Sequence, residues 1–96
     1  MLNEKVLKIQ IQQRISKNLG MNSSARALFE EINNSPANVI EIDFSDVIFM
    51  SRSFTQEYLS QKYYTDKEII EENVPSDIGL MFDLVKKDFE KINVEV

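Results

Sequence analysis

The chain has no cysteine, no histidine and no tryptophan, and only two glycines and two prolines in 96 residues. The first two absences together remove thiol nucleophiles, disulfides, imidazole bases and the usual zinc and copper ligands. Chemistry on this chain would have to run on carboxylates, hydroxyls, lysine or arginine. No glycine-rich loop is present to cradle a phosphate, so no cofactor and no metal is expected. No apolar run approaches the ~20 residues that cross a bilayer. The segment Met1-Leu2-Asn3-Glu4-Lys5 lacks the long apolar stretch of a secretory signal. Membrane insertion is therefore not expected, and a cytoplasmic location is. Positive charge is scarce as well: 11 Lys and Arg face 16 Asp and Glu, a net charge of −5. The basic residues are scattered rather than striped, which leaves nucleic acid no electrostatic footprint.

What is present suits one small domain over residues 1–96. A chain of this length buries roughly two-thirds of its unfolded surface. Its 43% hydrophobic content, with six Phe and three Tyr, is enough for one compact core.

Leu7-Lys8-Ile9-Gln10-Ile11-Gln12 alternates apolar and polar residues, which predicts a strand with one wet face. Ser16 to Asn22 reads as a connector. Ser24 is placed to cap a first helix whose buried face is Ala25, Leu28, Phe29 and Ile32. Asn33-Asn34-Ser35-Pro36 ends that helix, since Asn tolerates the left-handed cap and Pro cannot continue it. Ile40, Ile42 and Phe44 form the inner face of the next strand, with Glu41 and Asp43 opposed. Val47 to Met50 reads as the same strand continued past a kink at Ser45-Asp46, which puts Ile48 in the central strand. A second helix runs from about Arg52 to Tyr64, and Ser53-Phe54-Thr55-Gln56 fits a capping box at its start. Glu68 to Val74 is a third strand with Ile70 and Val74 inward. Pro75-Ser76-Asp77 opens a third helix, with Ile78, Met81, Phe82, Val85 and Phe89 on one face. Ile92 to Val96 alternates again, as an edge strand would. Strands alternating with helices imply parallel pairing through crossovers. The fold class expected is α/β, a small mixed, mostly parallel sheet of about four strands with three helices.

The run Ile40-Glu41-Ile42-Asp43-Phe44-Ser45-Asp46-Val47-Ile48-Phe49-Met50, followed by Ser-x-Ser and a helix, resembles the central motif of STAS domains. This module is shared by sulphate transporters and bacterial anti-sigma-factor antagonists. The nearer likeness is to the shorter STAS-like branch. There Ser51-Arg52-Ser53-Phe54-Thr55-Gln56-Glu57-Tyr58-Leu59 is similar to a "SxSFADEL"-type helix start. Ser24-Ala25-Arg26 is similar to that branch's earlier helix opening. Glu72-Asn73-Val74 is similar to the strand leading into its last helix. The resemblance covers nearly the whole chain and implies a STAS-like fold.

It also implies a partner, a histidine-kinase-like ATPase that phosphorylates a Ser at the start of the second helix. In the antagonists that Ser follows an Asp, and a Gly comes two residues later. Aligned on Phe49-Met50, the Asp position is Ser51, the acceptor position is Arg52 and the Gly position is Phe54. The acceptor is not kept in register, so Ser51 and Ser53 are the hydroxyls left to take a phosphate.

Each candidate has a plain reading beside the functional one. Ser51 and Ser53 are economical helix caps, although a phosphate at a helix start would be favoured by the dipole. Arg52 is a solvated surface residue or a fixed positive charge for an acidic or phosphorylated partner. Glu57 suits the first turn of a helix on dipole grounds and matches a family position. Tyr58, Tyr63 and Tyr64 are more than one helix face can bury, and exposed aromatics suit interfaces. Asp43 and Asp46 flank the strand end, but two carboxylates alone make a poor Mg²⁺ or catalytic site. Turn chemistry accounts for Asp46. The expectation is a non-catalytic interaction domain docking through Ser51, Arg52, Ser53, Phe54, Glu57 and Tyr58. The alternative is a small-ligand or nucleotide-binding sensor.

Overall fold

The computed structural model describes residues 5–94, with side chains as far as residue 88. The alternation that begins at Leu7 does form a strand, β1 (Val6–Gln10), but it stops early, and Ile11–Arg14 is a single helical turn, α1. Ile11 keeps its inward place at 0% exposure and reaches it from that turn rather than from the strand. The chain continues through β2 (Asn18–Leu19), α2 (Asn22–Asn34), β3 (Val39–Asp43) and β4 (Phe49–Met50). It then forms α3 (Arg52–Tyr64), β5 (Glu68–Glu72) and α4 (Ser76–Val94).

Three strands make one all-parallel sheet in the order β1-β3-β5, with Ile9 opposite Ile42, Lys8 opposite Glu41, and Glu41 opposite Ile70. Strand order follows chain order, so two crossovers of the same hand put α2 and α3 on one face. Ile9, Ile40 and Ile42 point to that face and are buried. Lys8, Glu41 and Ile70 point to the other.

The core is one cluster to which α1 contributes Ile11 and the three longer helices a larger share. Helix α2 supplies Ala25, Leu28, Phe29 and Ile32, as its periodicity predicts. Helix α3 supplies Phe54 and Tyr58, and α4 supplies Ile78. Tyr58 is the hub of the aromatic packing: Phe29 and Phe44 meet its ring edge-on at 5.3 and 6.0 Å, and Phe54 stacks at 6.2 Å.

Several expectations are corrected. The sheet is not a mixed four-stranded one: among the described residues all pairs are parallel, and β2 and β4 form a separate two-stranded ladder. Among the described residues there are four helices rather than three. Val47 to Met50 does not extend β3, because Asp46 takes a left-handed backbone (φ 64°) and turns the chain toward β2. Ile48 consequently lies outside the central strand and is exposed. In β5 the inward residue is Ile69, packed against the core, while Ile70 lies on the outer face. Helix α2 begins before Ser24, with Met21 at the cap position and no side-chain cap. The Ile92–Val96 segment is helical as far as Val94, where an edge strand was expected, and its last two residues lie outside the described ones. The side chain of Phe89 also lies outside them.

Candidate functional site

The start of α3 is fastened to the short β2–β4 ladder through one residue. Ser51 donates its N–H to the Leu19 carbonyl at 2.8 Å, continuing the ladder by one rung. Its Oγ donates to the Gly20 carbonyl at 2.8 Å and accepts the Phe54 N–H at 3.0 Å. The Ser51 carbonyl accepts both the N–H and the hydroxyl of Thr55, which leaves that buried hydroxyl satisfied. Ser51 is therefore the helix cap, and the expected capping box at Ser53 and Gln56 does not form. Ser53 is exposed, with its hydroxyl 3.4 Å from that of Ser51.

The structure divides the remaining candidates. Arg52 is exposed but paired with Asp88 of α4. Glu57 accepts from Gln61 at 2.8 Å and lies 3.8 Å from Arg26 of α2. Phe54 and Tyr58 are both at 0% exposure, which corrects their place as direct partner contacts. The Tyr58 hydroxyl donates to Glu71 of β5 at 2.7 Å, and Lys62 donates to the same carboxylate at 3.0 Å. Burial, reinforced by the Glu71 charge and hydrogen bond, pushes the Tyr58 phenol well above its ordinary value. The exposed tyrosines are Tyr63 and Tyr64, at the far end of α3.

Sequence reasoning missed the apolar rim around the helix start. Met21, Ile48 and Phe49 are exposed at 67%, 65% and 50%. Phe49 faces Asn18 across the ladder, and its ring lies against Gly20, where an added Cβ would meet it at 3.9 Å. Gly20, against which Phe49 lies, also accepts from Ser51, and Met21 follows it in the chain. The available signal was the apolar pair Ile48-Phe49 beside a turn, which reads the same as core until its ladder is known.

At the ends of the parallel strands, Asp43 accepts the Ser45 N–H at 2.9 Å, the Ser45 hydroxyl at 2.5 Å and the Asn73 amide at 3.1 Å. The Ser45 bonds, with Asn73 behind them, hold the Asp43 carboxyl below its ordinary value. Asp46 accepts from Gln12 at 3.3 Å. The Asp43 carboxylate is thus engaged in the turn, while that of Asp46 meets Gln12 rather than its own backbone, and among the described residues no acidic group of three converges as a metal site would need. A separate open groove of about 360 Å³ lies along α2 and α3, lined by Ser23, Arg26, Ala27, Glu30, Asn33 and Gln61.

Among the described residues no helix is long and apolar enough to cross a membrane. Comparison with known proteins finds no matching family model, no matching curated protein and no matching solved structure.

Proposed function

We propose that this chain is a non-catalytic regulatory interaction domain of STAS-like type, working in the cytoplasm. Its partner is a histidine-kinase-like ATPase or a related signalling protein, docked at the start of α3. The observation that carries the reading is the apolar rim of Met21, Ile48 and Phe49 beside the exposed Ser53 and the Arg52–Asp88 pair. Large apolar side chains bordered by polar and charged groups are what a protein interface uses, with aromatic and Met residues favoured at its centre. Phe54, Thr55 and Tyr58 support the site from beneath rather than touching the partner.

The Ser51 oxygen is committed to two hydrogen bonds, so Ser53 is the better placed of the two hydroxyls to receive a phosphate. With Arg52 standing in the family's acceptor position, binding without phosphorylation is the favoured mode. The second reading, a small-ligand sensor, has the α2–α3 groove in its favour. The groove's volume falls in the range of ligand sites, although such sites are usually apolar and aromatic-lined.

The test pairs the chain with a histidine-kinase-like ATPase from the same genome and measures binding by titration calorimetry, with and without ATP. Phe49→Ala and Met21→Ala should each weaken binding by roughly tenfold, and Arg52→Glu should weaken it too. Mass spectrometry after incubation with ATP would place any phosphate. Full affinity in all three variants would sink the docking site, and turnover by the isolated chain would sink the non-catalytic reading.

A further inference from the structure

Helix α4 meets the body of the protein through Ile78 and Val85, with Met81 and Phe82 partly buried beside them. On another side of the same helix, Asp77, Leu80, Leu84 and Lys87 are all exposed, the two leucines at 62% and 58%. Their spacing alternates between three and four residues, which lines them up as one straight seam on a helix. The seam is apolar at its centre, acidic at its N-terminal end and basic at its C-terminal end. Neither Asp77 nor Lys87 has an ion-pair partner among the described residues.

We propose that this seam is a homodimer interface in which α4 of one protomer packs antiparallel against α4 of its partner. A two-fold axis at the level of Phe82 sets Leu80 of one copy against Leu84 of the other, and Asp77 against Lys87. Symmetry makes each of these contacts twice, as an isologous interface requires. A parallel pairing would instead set Asp77 on Asp77 and Lys87 on Lys87, so the charge pattern selects the antiparallel one.

The residues that hold α4 to its own core lie off the seam, so pairing leaves the core packing in place. The outer face of the sheet is no competitor for a second copy. Beside Val6 and Ile70 it carries Glu41, Asp43, Glu68 and Glu72 against the single Lys8, an excess of negative charge that would meet itself. Two leucines per copy make a small contact, and Asp83, which flanks the seam, comes near its own copy across the axis. The dimer is accordingly weak, with a dissociation constant on the order of 100 µM.

Sedimentation equilibrium of the full chain from ~10 µM to ~1 mM tests this. The expected result is a reversible monomer–dimer equilibrium that Leu84→Asp abolishes. Asp77→Lys and Lys87→Asp should each weaken the dimer by about tenfold or more, and the double variant Asp77→Lys/Lys87→Asp should restore it. All of these positions are exposed, and circular dichroism checks that each variant folds. The proposal is overturned by a monomer at every concentration, by a dimer indifferent to Leu84→Asp, or by a double variant no tighter than the singles.

Discussion

The two faces of the three-stranded sheet are made by alternate residues of the same strands, yet they meet opposite surroundings. Ile9, Ile40 and Ile42 lie under the helices at 1% exposure or less, whereas Lys8, Glu41 and Ile70 look outward, with no helix above them among the described residues. All-parallel sheets are normally covered on both faces. This one is not, because its strands are laid down in chain order and both crossovers fall on one side. Cover is decided by topology, and the side-chain chemistry follows it in part: Lys8, Glu68 and Glu72 keep the bare face wet around Val6 and Ile70. Glu71 is the exception, a carboxylate on the helix face held by Tyr58 and Lys62.

The sharpest way to break this contrast is at two neighbouring residues. Ile42→Ala should cost about 2–5 kcal/mol, as other large-to-small changes in a packed core do. Glu41→Ala, one residue away on the bare face, should stay within about 0.5 kcal/mol. Urea titration of both proteins measures the difference, and equal losses would mean that the faces are not distinct.

The exception at Glu71 can be sharpened with Tyr58→Phe, expected to cost about 1–2 kcal/mol through the lost hydrogen bond to a carboxylate. The fold favours the neutral phenol, so its folded pKa is raised. The stability this contributes is present below the unfolded value of about 10 and is lost as pH rises beyond it. Urea midpoints followed toward alkaline pH should fall more steeply in the wild-type protein than in Tyr58→Phe.

The smallest effect belongs to Asp43, at the outer end of the central strand. Its folded pKa is depressed, so its contribution is present above the unfolded value of about 3.9 and is lost as pH falls through the folded one. Asp43→Asn should lower neutral stability slightly, by the contribution of the ionised carboxylate, and flatten the acid limb of a stability-versus-pH curve, so that the two proteins converge in acid. Matching acid limbs would show that the Ser45 and Asn73 contacts do not favour the ionised carboxylate.

Helix α3 is legible in the sequence from Arg52 to Tyr64, because a polar Ser-Arg-Ser break opens it and its apolar residues keep helical spacing. The buried face of α2 is legible for the same reason. Its first residue is not, since Met21 supplies no capping side chain and Ser24 looks the better cap. In β5 two adjacent isoleucines, Ile69 and Ile70, satisfy either phase of an alternating strand, and only pairing with β3 decides which faces inward. The two-residue strands β2 and β4 are too short to carry any periodicity at all. Their ladder is nonetheless what chooses Ser51 over Ser53 as the cap and leaves the Phe49 side chain exposed. The sequence shows that the candidate residues fall at a strand-to-helix junction, while the division between buried supports and exposed surface was not readable. Phe54 and Tyr58 carry the same sequence pattern whether they pack inward or face a partner.

The chain-order arrangement of the sheet also bears on how the protein is made. No strand has to be threaded between two that are already paired: β3 adds to β1, and β5 adds to the open edge of β3. During synthesis, which releases the N-terminal segments first, each newly emerged strand finds its docking edge already built. Assembly proceeds as accretion in one direction, with α4 arriving last to close the aromatic cluster through Phe82.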